Sequence, residues 1–156
     1  MNIQSTHRNL IALLLVCLVC PVVTSAQVNR LTTRDKTQII QSILRRYDFT
    51  QSETWRDNTE NTVYLLAENI SPADLPSRNG VRFNIIERDQ IERLKKTGIE
   101  YYQLSRIEIG KNAVRISFTR TYTSPQEGNG SVMEYTCRKV SGRWKLKARL
   151  DGVYAS

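Results

Sequence analysis

The segment from Met133 to Leu150 leaves the chain the least freedom, because it alternates apolar and polar residues on both sides of Ser141-Gly142. Two such runs around a two-residue turn form a β-hairpin, and the period of two then fixes which residues face which. With Val140 opposite Arg143, stepping outward sets Cys137 against Leu146, Tyr135 against Ala148 and Met133 against Leu150, on the face that carries Trp144. The other face sets Glu134 against Arg149 and Thr136 against Lys147, while Arg138 meets Lys145 with like sign and has to be solvated. A slip of one residue would bury Lys145, Lys147 and Arg149, so the apolar side is expected inside and the basic side in water.

Tyr102 to Ile109 and Ala113 to Tyr122 are two more β-rich runs joined through Gly110-Lys111-Asn112, and a second hairpin is expected there. The later run puts Val114, Ile116, Phe118 and Tyr122 on one face, with Arg115, Ser117, Thr119 and Thr121 on the other. Ser124 to Gly130 has the composition of a loop. Farther upstream, Ile39, Ile40, Ile43, Leu44 and Tyr47 recur at helical spacing behind Thr32-Thr33-Arg34-Asp35, which offers an N-cap hydroxyl and a first-turn carboxylate. This predicts a helix over about 33–47. Thr50 to Asn61 reads as polar loop anchored by Trp55, Thr62 to Ala67 as a buried strand, Ser71 to Gly80 as turns and Val81 to Ile85 as an alternating strand. Glu87 to Thr97 is helical again around Ile91 and Leu94, with Lys95-Lys96 favourable at its carboxyl end and Gly98 as its stop.

The amino terminus has a different character. A short start containing His7 and Arg8 precedes 14 uncharged residues, Leu10 to Val23, and then the small pair Ser25-Ala26. That is the tripartite pattern of an export signal, too short for the roughly 20 residues a membrane-spanning helix needs. Residues 1–26 are therefore expected to be a signal peptide cleaved after Ala26, placing residues 27–156 in a secreted or periplasmic compartment; an uncleaved anchor is the alternative. Cleavage would remove the only histidine, His7, and two of the three cysteines, Cys17 and Cys20. A chain without imidazole excludes Ser-His-Asp and Cys-His nucleophiles and the usual histidine-bearing zinc sites. The remaining 130 residues suffice for one domain, and 22 basic against 15 acidic residues leave a net charge of +7. That balance favours anionic partners, although it also serves solubility alone.

An acid/base site without histidine would need a carboxylate beside tyrosines, and Asp35, Glu108, Tyr64, Tyr102, Tyr122 and Tyr135 supply the residue types. Each has a plainer role: Asp35 at a helix amino end, Glu108 outward between Ile107 and Ile109, the tyrosines as sheet formers. Cys137 reads as an inert core thiol. Arg138, Lys145, Lys147 and Arg149, with Arg143 beside them, form a basic face able to meet phosphates or acidic polysaccharide, but without interleaved aromatics for stacking on bases. Asn69-Ile70-Ser71 and Asn129-Gly130-Ser131 satisfy the glycosylation pattern, which is frequent by chance. No phosphate loop, acidic metal cluster, repeat or heptad run is present in the sequence.

Helix, strands, short helix and four antiparallel strands ending in Ser-Gly-Arg-Trp-Lys-Leu resemble the NTF2-like (SnoaL-like, cystatin-like) superfamily and its uncharacterised secreted bacterial members, over roughly residues 32–150. The resemblance implies an α+β domain: a long N-terminal helix packed on a curved antiparallel sheet of about six strands, one short second helix, and a conical pocket between the first helix and the sheet. Two departures stand out: a strand is due as early as Val63, and catalytic members rely on Asp, His and Tyr in the cone, so no catalytic, cofactor-binding or metal residue carries over. The expected function is an exported, non-enzymatic binding or accessory domain, with a small hydrophobic ligand or an anionic envelope or extracellular component as partner and a homodimer through the sheet as a further option. The alternatives are a carboxylate/tyrosine lyase or isomerase in the cone, and binding of an anionic polymer through the basic face. Trp144→Ala is expected to cost about 3–5 kcal/mol through the cavity it leaves. A chemical denaturation midpoint unchanged from the parent would refute the inward placement of this side chain.

Overall fold

The structure, a computed structural model, describes residues 30–51 and 60–155. The expected signal segment with His7, Cys17 and Cys20, and the loop residue Trp55, lie outside these. Helix α1, Thr33–Arg46, begins where a hydroxyl is available: Thr32 accepts the Asp35 backbone N–H at 3.1 Å and donates its own hydroxyl to the Asp35 carboxylate at 2.9 Å. Ile39, Ile40, Ile43 and Leu44 form its buried stripe. At the other end, the Arg78 guanidinium donates to the carbonyls of Leu44 and Tyr47 at 2.9 and 2.7 Å, supplying partners that the last helical turn lacks. The chain then turns inward, and Tyr47 and Phe49 pack edge-on against Tyr102. The helix thus occupies the expected span but is not a long one. Its 14 residues make about 21 Å.

Strands β1 (Thr62–Leu66), β2 (Arg82–Ile86), β3 (Ile99–Ile109), β4 (Val114–Thr123), β5 (Gly128–Val140) and β6 (Arg143–Ala155) form one sheet in the order β2-β1-β3-β4-β5-β6. Helix α2, Arg88–Leu94, joins β2 to β3 and ends through a turn at Gly98, as expected. The expected antiparallel sheet is in fact mixed: β1 runs parallel to both β2 and β3, and only β3 to β6 alternate in direction. The reason lies in the connections. Residues 67–81 pass over the α1 side and α2 over the other, and crossovers of this kind return a strand parallel to its neighbour. Val63 and Leu65 accordingly join the α1 core, while Leu66 packs with Ile86, Ile91 and Ile99 beneath α2. A strand covered on both faces has no polar side, which is why Thr62 to Ala67 shows no alternation.

The final hairpin has the expected register at every pair, from Val140–Arg143 to Met133–Leu150 and from Glu134–Arg149 to Arg138–Lys145. Ser141 and Gly142 both take positive φ, 49° and 74°, the geometry of a type I′ turn. Tyr135, Cys137 and Trp144 are buried with the α1 stripe. The expected loop 124–130 shrinks to a turn closed by the Ser124 N–H on the Glu127 carbonyl at 2.8 Å. Gly128 to Gly130 belong to β5, where Gly130 lies so close beneath the Tyr154 ring that a Cβ would stand 2.4 Å from it. Thr119, expected on the polar face, is buried there beside Ser105, 3.0 Å between hydroxyls.

One carboxylate fastens the helix to this hairpin. Asp35 accepts the Lys139 ammonium at 2.8 Å and the Trp144 indole N–H at 2.9 Å, with its side chain 13 % exposed. The Lys139 hydrogen bond outweighs the cost of burial and, with Trp144 and Thr32, holds the carboxyl at about 2 rather than 3.8. A lowered carboxyl contributes stability above its ordinary value and loses it as pH falls toward the folded one. Asp35→Asn should therefore cost about 2 kcal/mol at neutral pH, and the deficit against the parent should shrink between pH 3.8 and 2. Asp48 and Asp74, also lowered, titrate in both proteins and cancel. Urea midpoints measured across this range check it; a deficit independent of pH would contradict the linkage.

Candidate functional site

The inner face of the sheet is longer than the helix that covers it. Beyond Tyr47 a cleft of about 410 Å³ opens between the end of α1 and strands β4 to β6. Its floor is Met133, Leu146, Ala148 and Leu150; Arg46, Tyr47 and Asp48 form the helix-side wall, and Arg120, Ser131 and Tyr135 the back. A second space of about 500 Å³ continues past Gln51 and Arg120, which line both, to Glu100, Tyr122, Glu127 and Val153. The open end leaves Leu150 at 58 % and Val153 at 73 % exposure.

Arg120 stands where the two spaces meet. Alternation along β4 puts it on the side of Ile116, Phe118 and Tyr122, so a cation replaces the apolar residue the pattern calls for. Its Nε is buried and has no hydrogen-bond partner among the described residues. Around it the tyrosines are neutral donors. Burial pushes Tyr102 well up and Tyr135 to about 12; burial also raises Tyr47. Tyr102 donates to Glu100 Oε1 at 2.5 Å.

Of the residues singled out in the sequence, Tyr135 lines the cleft and Tyr122 the second space, whereas the basic residues and the carboxylates lie elsewhere. Arg138, Lys145, Lys147 and Arg149 are exposed on the outer face of the last hairpin. Lys147 and Arg149 border a groove with Arg115, Glu134 and Thr136, whereas Arg138 and Lys145 do not reach it. Arg149 is engaged by Glu134 at 3.2 Å and Asp151 at 2.9 Å, so this face is less cationic than its sequence suggests. Asp35 is committed to Lys139 and Trp144, and Glu108 pairs with Arg106 and Arg115. Neither carboxylate borders the cleft. Asn69 donates its amide to the Leu104 carbonyl at 2.7 Å. Sequence reasoning passed over Arg120, although the spacing Phe118-x-Arg120-x-Tyr122 marks it, and over Glu100, because β3 starts three residues before the expected Tyr102.

No family model, curated protein or solved structure matches this chain. Among the described residues there is no grouping of His, Cys, Asp and Glu able to hold a metal, and no helix long and apolar enough to cross a membrane.

Cys137 is fully buried, and burial pushes its thiol up to about 12. It should resist alkylation in the folded protein and react fully once denatured, read by peptide mapping after iodoacetamide. Rapid labelling of the native protein would place it at an accessible surface instead.

Proposed function

We propose that this chain is an exported, non-enzymatic binding or accessory domain of the NTF2-like kind, holding a small ligand in the cleft between the end of α1 and the inner face of β4 to β6. The observation that carries the reading is the cleft itself. Its volume of about 410 Å³ falls within the usual span for small-molecule sites, and an apolar floor with a few convergent polar groups is their usual lining. A curved sheet wrapping α1 into a cone belongs to the same proposal, as does the export signal in residues 1–26. The basic outer face would oppose dimerisation through that side of the sheet.

One pair favours the enzymatic alternative. Glu100 and Tyr102 bring a carboxylate and a phenol together beside the second space, the arrangement a histidine-free lyase or isomerase would need. Tyr102 already donates its proton to Glu100, however, and burial holds the phenol neutral, so it has none left for an oxyanion. Polymer binding through Lys147 and Arg149 is weakened by Glu134 and Asp151 in the same place.

The purified protein should bind a neutral, environment-sensitive apolar dye such as Nile red saturably and with one-to-one stoichiometry. Ala148→Trp, which fills the floor of the cleft, should abolish binding while leaving the free energy of unfolding in urea within about 0.5 kcal/mol of the parent. Binding that survives a folded Ala148→Trp variant, or no saturable binding by the parent, refutes the cleft as the site.

A further inference from the structure

We infer that Arg120 is the counter-ion for a singly charged amphipathic carboxylate, whose head lies against the guanidinium and whose apolar body runs along Met133, Leu146 and Leu150. The inference rests on the cleft-binding reading and adds the class of ligand. A guanidinium nitrogen that is buried and, among the described residues, unpartnered costs free energy in the empty protein. The guanidinium fork matches a planar carboxylate, which can take Nε and one Nη side by side. Charge sets the valence. Among the described residues Arg46 and Arg120 line the first space with Asp48 as its carboxylate, a lining that favours a ligand of low negative charge. Glu100 and Glu127 lie beyond Arg120 in the second space and would repel a further charge, which disfavours a phosphate monoester. The polar end is also furnished for such a head, because Tyr47 and Ser131 both line this space. The floor at Leu150, 58 % exposed, gains cover from an alkyl or aryl body.

Displacement of Nile red by three ligands of one chain length tests this: decanoate, decan-1-ol and decyl phosphate, all at pH 8. Decanoate should displace the dye at a concentration about 10- to 100-fold below decanol, the gain of one buried charge-assisted contact. Decyl phosphate should be weaker than decanoate. Arg120→Met, which keeps the apolar stem, should bring decanoate to parity with decanol, each competition being scaled to the variant's own dye affinity. Should that variant not fold, the parent alone decides: the preference for decanoate has to vanish as pH falls below the acid's own pKa, with decanol unaffected. Equal potency of decanoate and decanol on the parent, tighter decyl phosphate, or an undiminished preference in Arg120→Met each overturns the assignment while the binding reading stands. If Nile red itself does not bind, the binding reading fails and the inference with it.

Discussion

The position of α1 depends on one carboxylate. Asp35 closes the first turn of the helix through Thr32 and, from the same side chain, takes a proton each from Lys139 and Trp144 at the tip of the last hairpin. Fixing that end fixes the lever. Thr37, two residues on, donates to the buried Asp74 at 2.6 Å, and Arg78 holds the final carbonyls, so the helix is tied to the sheet's far hairpin and to the β1–β2 crossover at once. These contacts are polar and directional, while the stripe from Ile39 to Leu44 supplies the non-directional burial. Burial alone would tolerate sliding of the helix along the sheet; the three polar ties remove it.

The cleft follows from that anchoring by arithmetic. A helix of 14 residues reaches about 21 Å, whereas β5 and β6, with 13 residues each, extend about 43 Å. Pinned at Trp144, the helix covers about six strand positions and gives out near Leu150. The change from buried Trp144 to exposed Leu150 and Val153 is where its cover ends. A longer helix would have closed this region. The shortness of α1 and the openness of the inner face are one fact.

What could be read from the sequence was local or periodic. The hairpin register, the Thr32 cap, the stop at Gly98 and the stripe of α1 each depend on residues a few positions apart. What could not be read was set by long connections. The parallel pairing of β1 arises from two crossovers on opposite faces, and its trace in the sequence, an unbroken apolar run, is shared with any buried strand. The Asp35–Lys139 tie spans 104 positions, and nothing periodic links them. Asp35 was legible as a helix-end carboxylate but not as the anchor of a hairpin. The basic outer face was legible as a surface, yet Glu134 and Asp151, in plain view in the sequence, take up much of the charge of Arg149 once folded.

Arg120 differs from these because the rule that locates it is the one it breaks. Alternation along β4 assigns its position to the inner face, where Ile116 and Phe118 are buried and where a cation is the residue type most costly to desolvate. If the position served stability alone, an aliphatic side chain would extend the core toward Met133. Among the described residues the buried Nε of this arginine joins no hydrogen bond. Local patterning and burial also part at the exposed Leu150 and Val153, and Arg120 adds to them a buried cationic nitrogen at the mouth of the same cleft.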